Sequence, residues 1–162
     1  MSAAEASAER LTPATARSSY SLWTTDIIRY GDTDSQGHVN NAVFATFFES
    51  GRTRFFAARS PSLRTSETEF VIVRLEIDFR AELFFPGSVD IGTRVLKIGR
   101  SSFRLGQALF SGESCAATGE CVMVVLDAES RKAKPFSPAL CAWLKTGILS
   151  ASSAPSMVSG KS

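Results

Sequence analysis

Histidine is nearly absent: His38 is the only one in 162 residues. Cysteine is scarce too, and Cys115, Cys121 and Cys141 are odd in number with no Cys-x-x-Cys spacing. One imidazole and three scattered thiols do not make a zinc set, and reduced thiols in a cytoplasmic protein are the simplest account. Charge imbalance is also missing. The formal net charge is +2, without the basic cluster of a nucleic-acid surface. No apolar run approaches the length of a membrane span. The start has no apolar signal-peptide core, and Glu5 and Glu9 argue against a transit peptide despite Arg10 and Arg17. No Walker-type or dinucleotide glycine pattern occurs.

What is present is 44% apolar residues, enough at this length for one domain with a core. The reactive side chains concentrate in Arg29–Phe48, which holds His38, Asp32, Asp34, Gly37, Asn40 and Asn41. Gly31–Val39 has turn chemistry, and Asn40 or Asn41 suits a helix cap. After the cap, Val43/Phe44, Phe47/Phe48 and Phe55/Phe56 recur at helical spacing, so a helix with one apolar face is expected to run to about Ala58. Gly51 on that helix allows close approach of a neighbour. A helix start offers unpaired N–H groups and partial positive charge, which suit a developing oxyanion.

Strands are expected on either side of this helix. One lies near 23–30. The clearest, about 70–81, alternates Val71, Val73, Leu75, Ile77 and Phe79 with Arg74, Glu76, Asp78 and Arg80. Ser88–Ile98 changes phase, which predicts a bulge between Gly92 and Leu96. Phe103–Ser111 follows, and then Cys115–Leu126, whose run from Val122 to Leu126 reads as buried on both faces. Ser137-Pro138 opens a short helix to about Thr146. One apolar helix and about five antiparallel strands make an α+β domain over 20–148, flanked by a polar arm (1–19) and a tail (149–162), both read as disordered.

The string Asp32-Thr33-Asp34-Ser35-Gln36-Gly37-His38-Val39-Asn40-Asn41, with Phe47-Phe48-Glu49 and Arg52, resembles hotdog-fold thioesterases of the 4-hydroxybenzoyl-CoA thioesterase type. The similarity continues through Leu83–Asp90 and Lys97–Ser102, and spans roughly residues 22–140. It implies a central helix wrapped by a curved antiparallel sheet. It also implies a homodimer or homotetramer with active sites at the subunit interface, and hydrolysis of an acyl-CoA without a metal or redox cofactor. The sequence gives no reason to add nucleic acid or membrane as partners.

Asp34 matches the second Asp of the motif and is the expected nucleophile or general base; a turn or capping role is its structural alternative. Asp32 reads as a turn residue. His38 is either an acid/base or an orienting group. The resemblance places an oxyanion-binding N–H at Asn41, while Gly37 and Asn40 shape the approach to the substrate. Glu49 and Arg52, three apart, read as a surface ion pair, with Glu49 a second candidate carboxylate. Arg100, Ser101 and Ser102, with Arg131, Lys132 and Lys134, are candidates for the CoA phosphates. Two other functions compete: a non-catalytic acyl-CoA-binding or sensing protein, and an enoyl-thioester hydratase. The hydratase string Asp-x-Asn-Pro-apolar-His is not matched, because Asp34 and His38 are one residue too close and the Pro is missing. An acyl carrier protein in place of CoA is a variant of the hydrolase reading.

Overall fold

The computed structural model describes residues 14–57 and 67–148. The chain forms β1 (Leu22–Ile28), α1 (Asn41–Ala57), β2 (Thr68–Phe79), β3 (Gly87–Ile98), β4 (Ser102–Ser111), β5 (Ser114–Asp127) and α2 (Pro138–Lys145). All strand pairings are antiparallel, in the order β1-β3-β4-β5-β2. This is the expected α+β arrangement, with β1 and β2 as the two edges. The expected tail (149–162), nearly all of the polar loop after α1 and the first thirteen residues of the arm lie outside the described residues.

The apolar spacing of α1 has the consequence expected of it. Phe44, Phe47, Phe48 and Phe55 are at most 3% exposed, and α1 leans on β1, β3 and β4. Burying each ring contributes roughly 1.5–3 kcal/mol, which fixes the helix to the sheet. Gly51 lets it come close: a Cβ there would stand 2.6 Å from both Gln107 Nε2 and Ile91 Cγ2. α2 closes the C-terminal end of α1, where Trp143 stacks on Phe55 at 4.7 Å and Leu140 and Leu144 join Val95 and Leu105 in the core.

Three sequence expectations are modified. The β3 irregularity falls at the end of its predicted window, with the register shifting between Val95 and Lys97. β2 is less regular than its alternation: the register also shifts between Ile72 and Arg74, and Val73 is left 60% exposed. The Val122–Leu126 run of β5 is fully buried on one face only, although Ala116–Cys121 before it is buried on both. Cys121, Met123 and Val125 are covered by the helices, while Val122, Val124 and Leu126 on the other face are half-buried.

Residues 14–19, expected within the arm, pack on the sheet face opposite α1. Arg17 lies over the Trp23 and Phe110 rings and donates to Gly112 O and Asp90 Oδ2, both at 2.9 Å. Tyr20 sits directly on Gly92 and stacks edge-on against Trp23 and Phe110.

Gly51→Ala gains about 1 kcal/mol of helix propensity but overpacks a contact that costs about 1–3 kcal/mol. A net fall in Tm is expected in a thermal melt. Acid titration tests a second feature. The Thr25 hydroxyl and the Arg17 guanidinium hold the Asp90 carboxyl below its usual range, against partial burial. For Asp26, burial pushes up but is outweighed by Ser50, the Ile27 N–H and Arg29, so its net shift is also down. Depressed folded values mean that this stabilisation is complete above the unfolded value, ~3.8, and is lost as pH falls through the folded values. Urea unfolding between pH 6 and pH 3 is expected to show declining stability, with a shallower decline in Asp90→Asn.

Candidate active site

The loop from β1 to α1 is stitched at both ends. Asp32 Oδ2 accepts from Arg29 N at 2.7 Å, and Asp32 O accepts from Asn40 N at 2.8 Å. Asp32 is therefore the turn residue it was read as. Asp34 N donates to His38 O at 2.9 Å and Gly37 N to Asp34 O at 3.1 Å, closing a tight loop that Gly37 completes with φ +83°. A left-handed backbone there favours glycine. Val39 N donates to Leu83 O at 2.8 Å and His38 pairs with Phe84, so the loop is also tied to the segment after β2.

Asn40 is the helix cap. Its side-chain Oδ1 accepts from Ala42 N at 2.9 Å, and its carbonyl accepts from Val43 N at 2.9 Å. Asn41 is thus the first helical residue, whose N–H has no place in the intrahelical ladder.

Asp34, His38 and Asn41 line one hollow of about 320 Å³, together with Phe44, Phe79 and Glu82. Asp34 Oδ1 accepts from Gln36 N at 2.8 Å; among the described residues none donates to Oδ2. The turn and catalytic roles are therefore compatible, because each uses a different oxygen. The His38 ring stands edge-on to Phe84 at 5.3 Å, with Nδ1 3.5 Å from Glu82 Oε1. Gly37 and Asn40, expected to shape the approach to the substrate, do not line this hollow.

Arg100, Ser101 and Ser102 are not brought to Asp34 within the chain. Ser102 pairs with Val124, near the start of β2, whereas the hollow abuts the end of β2 at Phe79. Val124 pairs in turn with Val71, and eight steps of ~3.3 Å separate Val71 from Phe79, so the two sites lie roughly 26 Å apart along the strand. The basic residues do gather around the distant turn: Phe136 N donates to Arg100 O at 3.0 Å, Lys134 Nζ reaches Glu67 O at 2.7 Å, and Arg131 pairs with Glu69.

The Glu49–Arg52 reading is corrected. Arg52 is 9% exposed and donates through Nη1 to Gln107 Oε1 at 3.2 Å, not to Glu49, which is exposed. The close fit at Gly51 carries the guanidinium inward. Sequence spacing alone also missed Phe79 and Glu82 as lining residues: Phe79 falls in the apolar phase of the β2 alternation, yet it is 51% exposed and meets Phe44 at 5.1 Å across the hollow. Among the described residues, no group of three or more His, Cys, Asp or Glu is arranged to hold a metal ion, and no helix is long and apolar enough to cross a membrane.

Replacing Asn40 with Ala removes the cap bond to Ala42 N. A loss of about 1 kcal/mol is expected in urea unfolding, with the backbone at Asn41 fraying first in hydrogen exchange.

The geometry has counterparts among known proteins. Residues 28–144 match the model of the thioesterase-like superfamily. A 1,4-dihydroxy-2-naphthoyl-CoA hydrolase of Synechococcus elongatus is 26% identical over 124 residues, covering 74% of this chain and 91% of that protein. A Pseudomonas aeruginosa protein of known crystal structure superposes with a TM-score of 0.75 at 28% identity, over 84% of this chain and 97% of that one. A Thermus thermophilus thioesterase, crystallised with coenzyme A and zinc, superposes with a TM-score of 0.70 at 28% identity, over 79% of this chain and 94% of that one. The matched segment runs from the last residue of β1 through the Asp34 loop, α1 and all the remaining strands, so the chain belongs to the thioesterase-like superfamily and is a thioester hydrolase of the hotdog fold.

Proposed function

We propose that the chain hydrolyses the thioester of an acyl-CoA to a free carboxylate and CoA, with Asp34 as its catalytic carboxylate. The observation that carries this is the pairing in one hollow of the unengaged Asp34 Oδ2 with the first turn of α1. The thioester carbonyl oxygen would face the Asn41 N–H, where the helix start stabilises the charge that develops on it. Two routes use the same groups. In one, Asp34 attacks the carbonyl carbon, the C–S bond breaks, CoA leaves as thiolate, and water then opens the resulting anhydride. In the other, Asp34 takes a proton from water as its oxygen attacks, and the departing sulfur takes up a proton. His38, held against Phe84 beside Glu82, orients the loop behind Asp34. Neither route calls on a metal or redox cofactor, and an acyl-CoA substrate fits a cytoplasmic enzyme with free thiols.

The unit we propose is a homodimer joined through β2. This edge exposes Ile72, Val73 and Phe79, and an unpaired edge strand is a template for another copy. Antiparallel pairing of two β2 edges would turn the basic Arg100–Ser102 end of one copy towards the Asp34 end of the other. That would complete at the interface a site that a single chain leaves divided.

A thiol-release assay across short, long and aromatic acyl-CoAs tests the activity. The naphthoyl substrate named for the Synechococcus relative makes aromatic esters the first to try. Asp34→Asn is expected to lower kcat at least 10²-fold, in line with the loss of a positioned base or nucleophile. Single turnover in H₂¹⁸O tests the nucleophilic route: label in the Asp34 carboxylate identifies it, through water attack on the aspartyl carbon of the anhydride. No thiol release from any ester would favour the binding or sensing function, and undiminished release by the variant would move catalysis to Glu49 or His38.

A further inference from the structure

Beyond the Asp34 hollow, two adjoining hollows of about 540 and 390 Å³ occupy the trough between α1 and β2, and share Glu49, Arg52 and Ile72. Arg52 lies eleven residues along α1 from Asn41, or ~16 Å at 1.5 Å per residue. The residue as a whole is 9% exposed, and its guanidinium has no carboxylate within ion-pair distance among the described residues. The nearby acids do not neutralise it. Glu69 is paired with Arg131, Glu120 with Arg104, and Glu49 stands exposed on the rim.

What holds Arg52 is neutral. Gln107 Nε2 donates to Phe48 O at 3.0 Å and to Thr93 Oγ1 at 3.1 Å. Both amide hydrogens are thereby used, and Oε1 must face Arg52. The other contact is the Cys121 thiol, which burial pushes up to about 11, so it is uncharged at neutral pH. Gln107 and Cys121 aim the guanidinium without cancelling its charge. A guanidinium has five N–H donors, and none of Arg52's nitrogens is both sealed from solvent and unbonded. Its remaining donors therefore open into the trough. Burying a cation without a counter-ion is costly unless something supplies one.

We propose that Arg52 is an anion-recognising group, taking a carboxylate or phosphate of a ligand seated in the trough against Phe56, Phe70 and Met123. This deepens the hydrolase reading by giving its substrate an anionic group at a distance from the thioester. It is tested by equilibrium binding and not by turnover, so it can fail while hydrolysis stands, and the reverse.

The test is calorimetry on the full chain with 2-naphthoate as the carboxylate source, CoA as the phosphate source, and 2-naphthalenemethanol and pantetheine as their neutral counterparts. Wild type is expected to bind at least one anion. Arg52→Gln should weaken that binding 10-fold or more, leave the neutral probes unchanged, and be partly rescued by Arg52→Lys. A loss confined to naphthoate, or to CoA, names the source. Equal affinity in wild type and Arg52→Gln overturns the proposal. So does a wild type that binds no anion, including one whose oligomer comes apart on Arg52→Gln, since the counter-ion is then a carboxylate of a second copy. If circular dichroism shows Arg52→Gln unfolded, Glu49→Gln decides: removing the rim carboxylate should tighten anion binding several-fold, and unchanged affinity overturns the inference.

Discussion

The close approach of α1 to the sheet at Gly51 is the contact on which the rest depends. The backbone there sits near enough to β3 and β4 for the Gln107 amide to reach the Phe48 carbonyl on the helix. One small residue thereby sets the depth of the helix, its rotation, and which side chains it turns to the sheet. Phe47 and Phe48 go fully inward, Arg52 is drawn in behind them, and Asn41 comes to the end where the β1–α1 loop arrives. Were the helix lifted by the thickness of a methyl group, the amide bond and the aromatic packing would loosen together, because protein interiors do not deform gradually.

The Asp34 loop depends on that placement and adds its own constraint. Backbone bonds within Asp34–His38, and from Val39 to Leu83, hold the carboxylate from two sides. The carboxylate therefore does not rely on a flexible tip for its position. The same bonds explain why His38 is tied to its neighbours: its carbonyl closes the loop and its ring braces Phe84.

The sequence was legible where periodicity and local chemistry act alone. The Phe pairs of α1, a cap at Asn40 or Asn41, the turn role of Asp32 and the five strands all follow from residues close together in the chain. Legibility ended where distant segments decide. Arg52 looks like the partner of Glu49 because helix spacing is all that the sequence displays; the competing acceptor, Gln107, is fifty-five residues away. Phe79 follows a two-residue alternation into the core, but β2 is an edge that α1 does not fully cover. The separation of Asp34 from the Arg100 turn was hidden for the same reason, since the motif gives their chemistry and only the strand register gives their distance.

The displaced residue at Val73 has a bearing on what this molecule will accept as a neighbour. A straight, flat ribbon would be open to any extended polypeptide, which is the route to indiscriminate clumping. A kinked one accepts only a ribbon that bends in step with it. The displaced residue is thus a built-in guard of this edge against the flat strands of other chains.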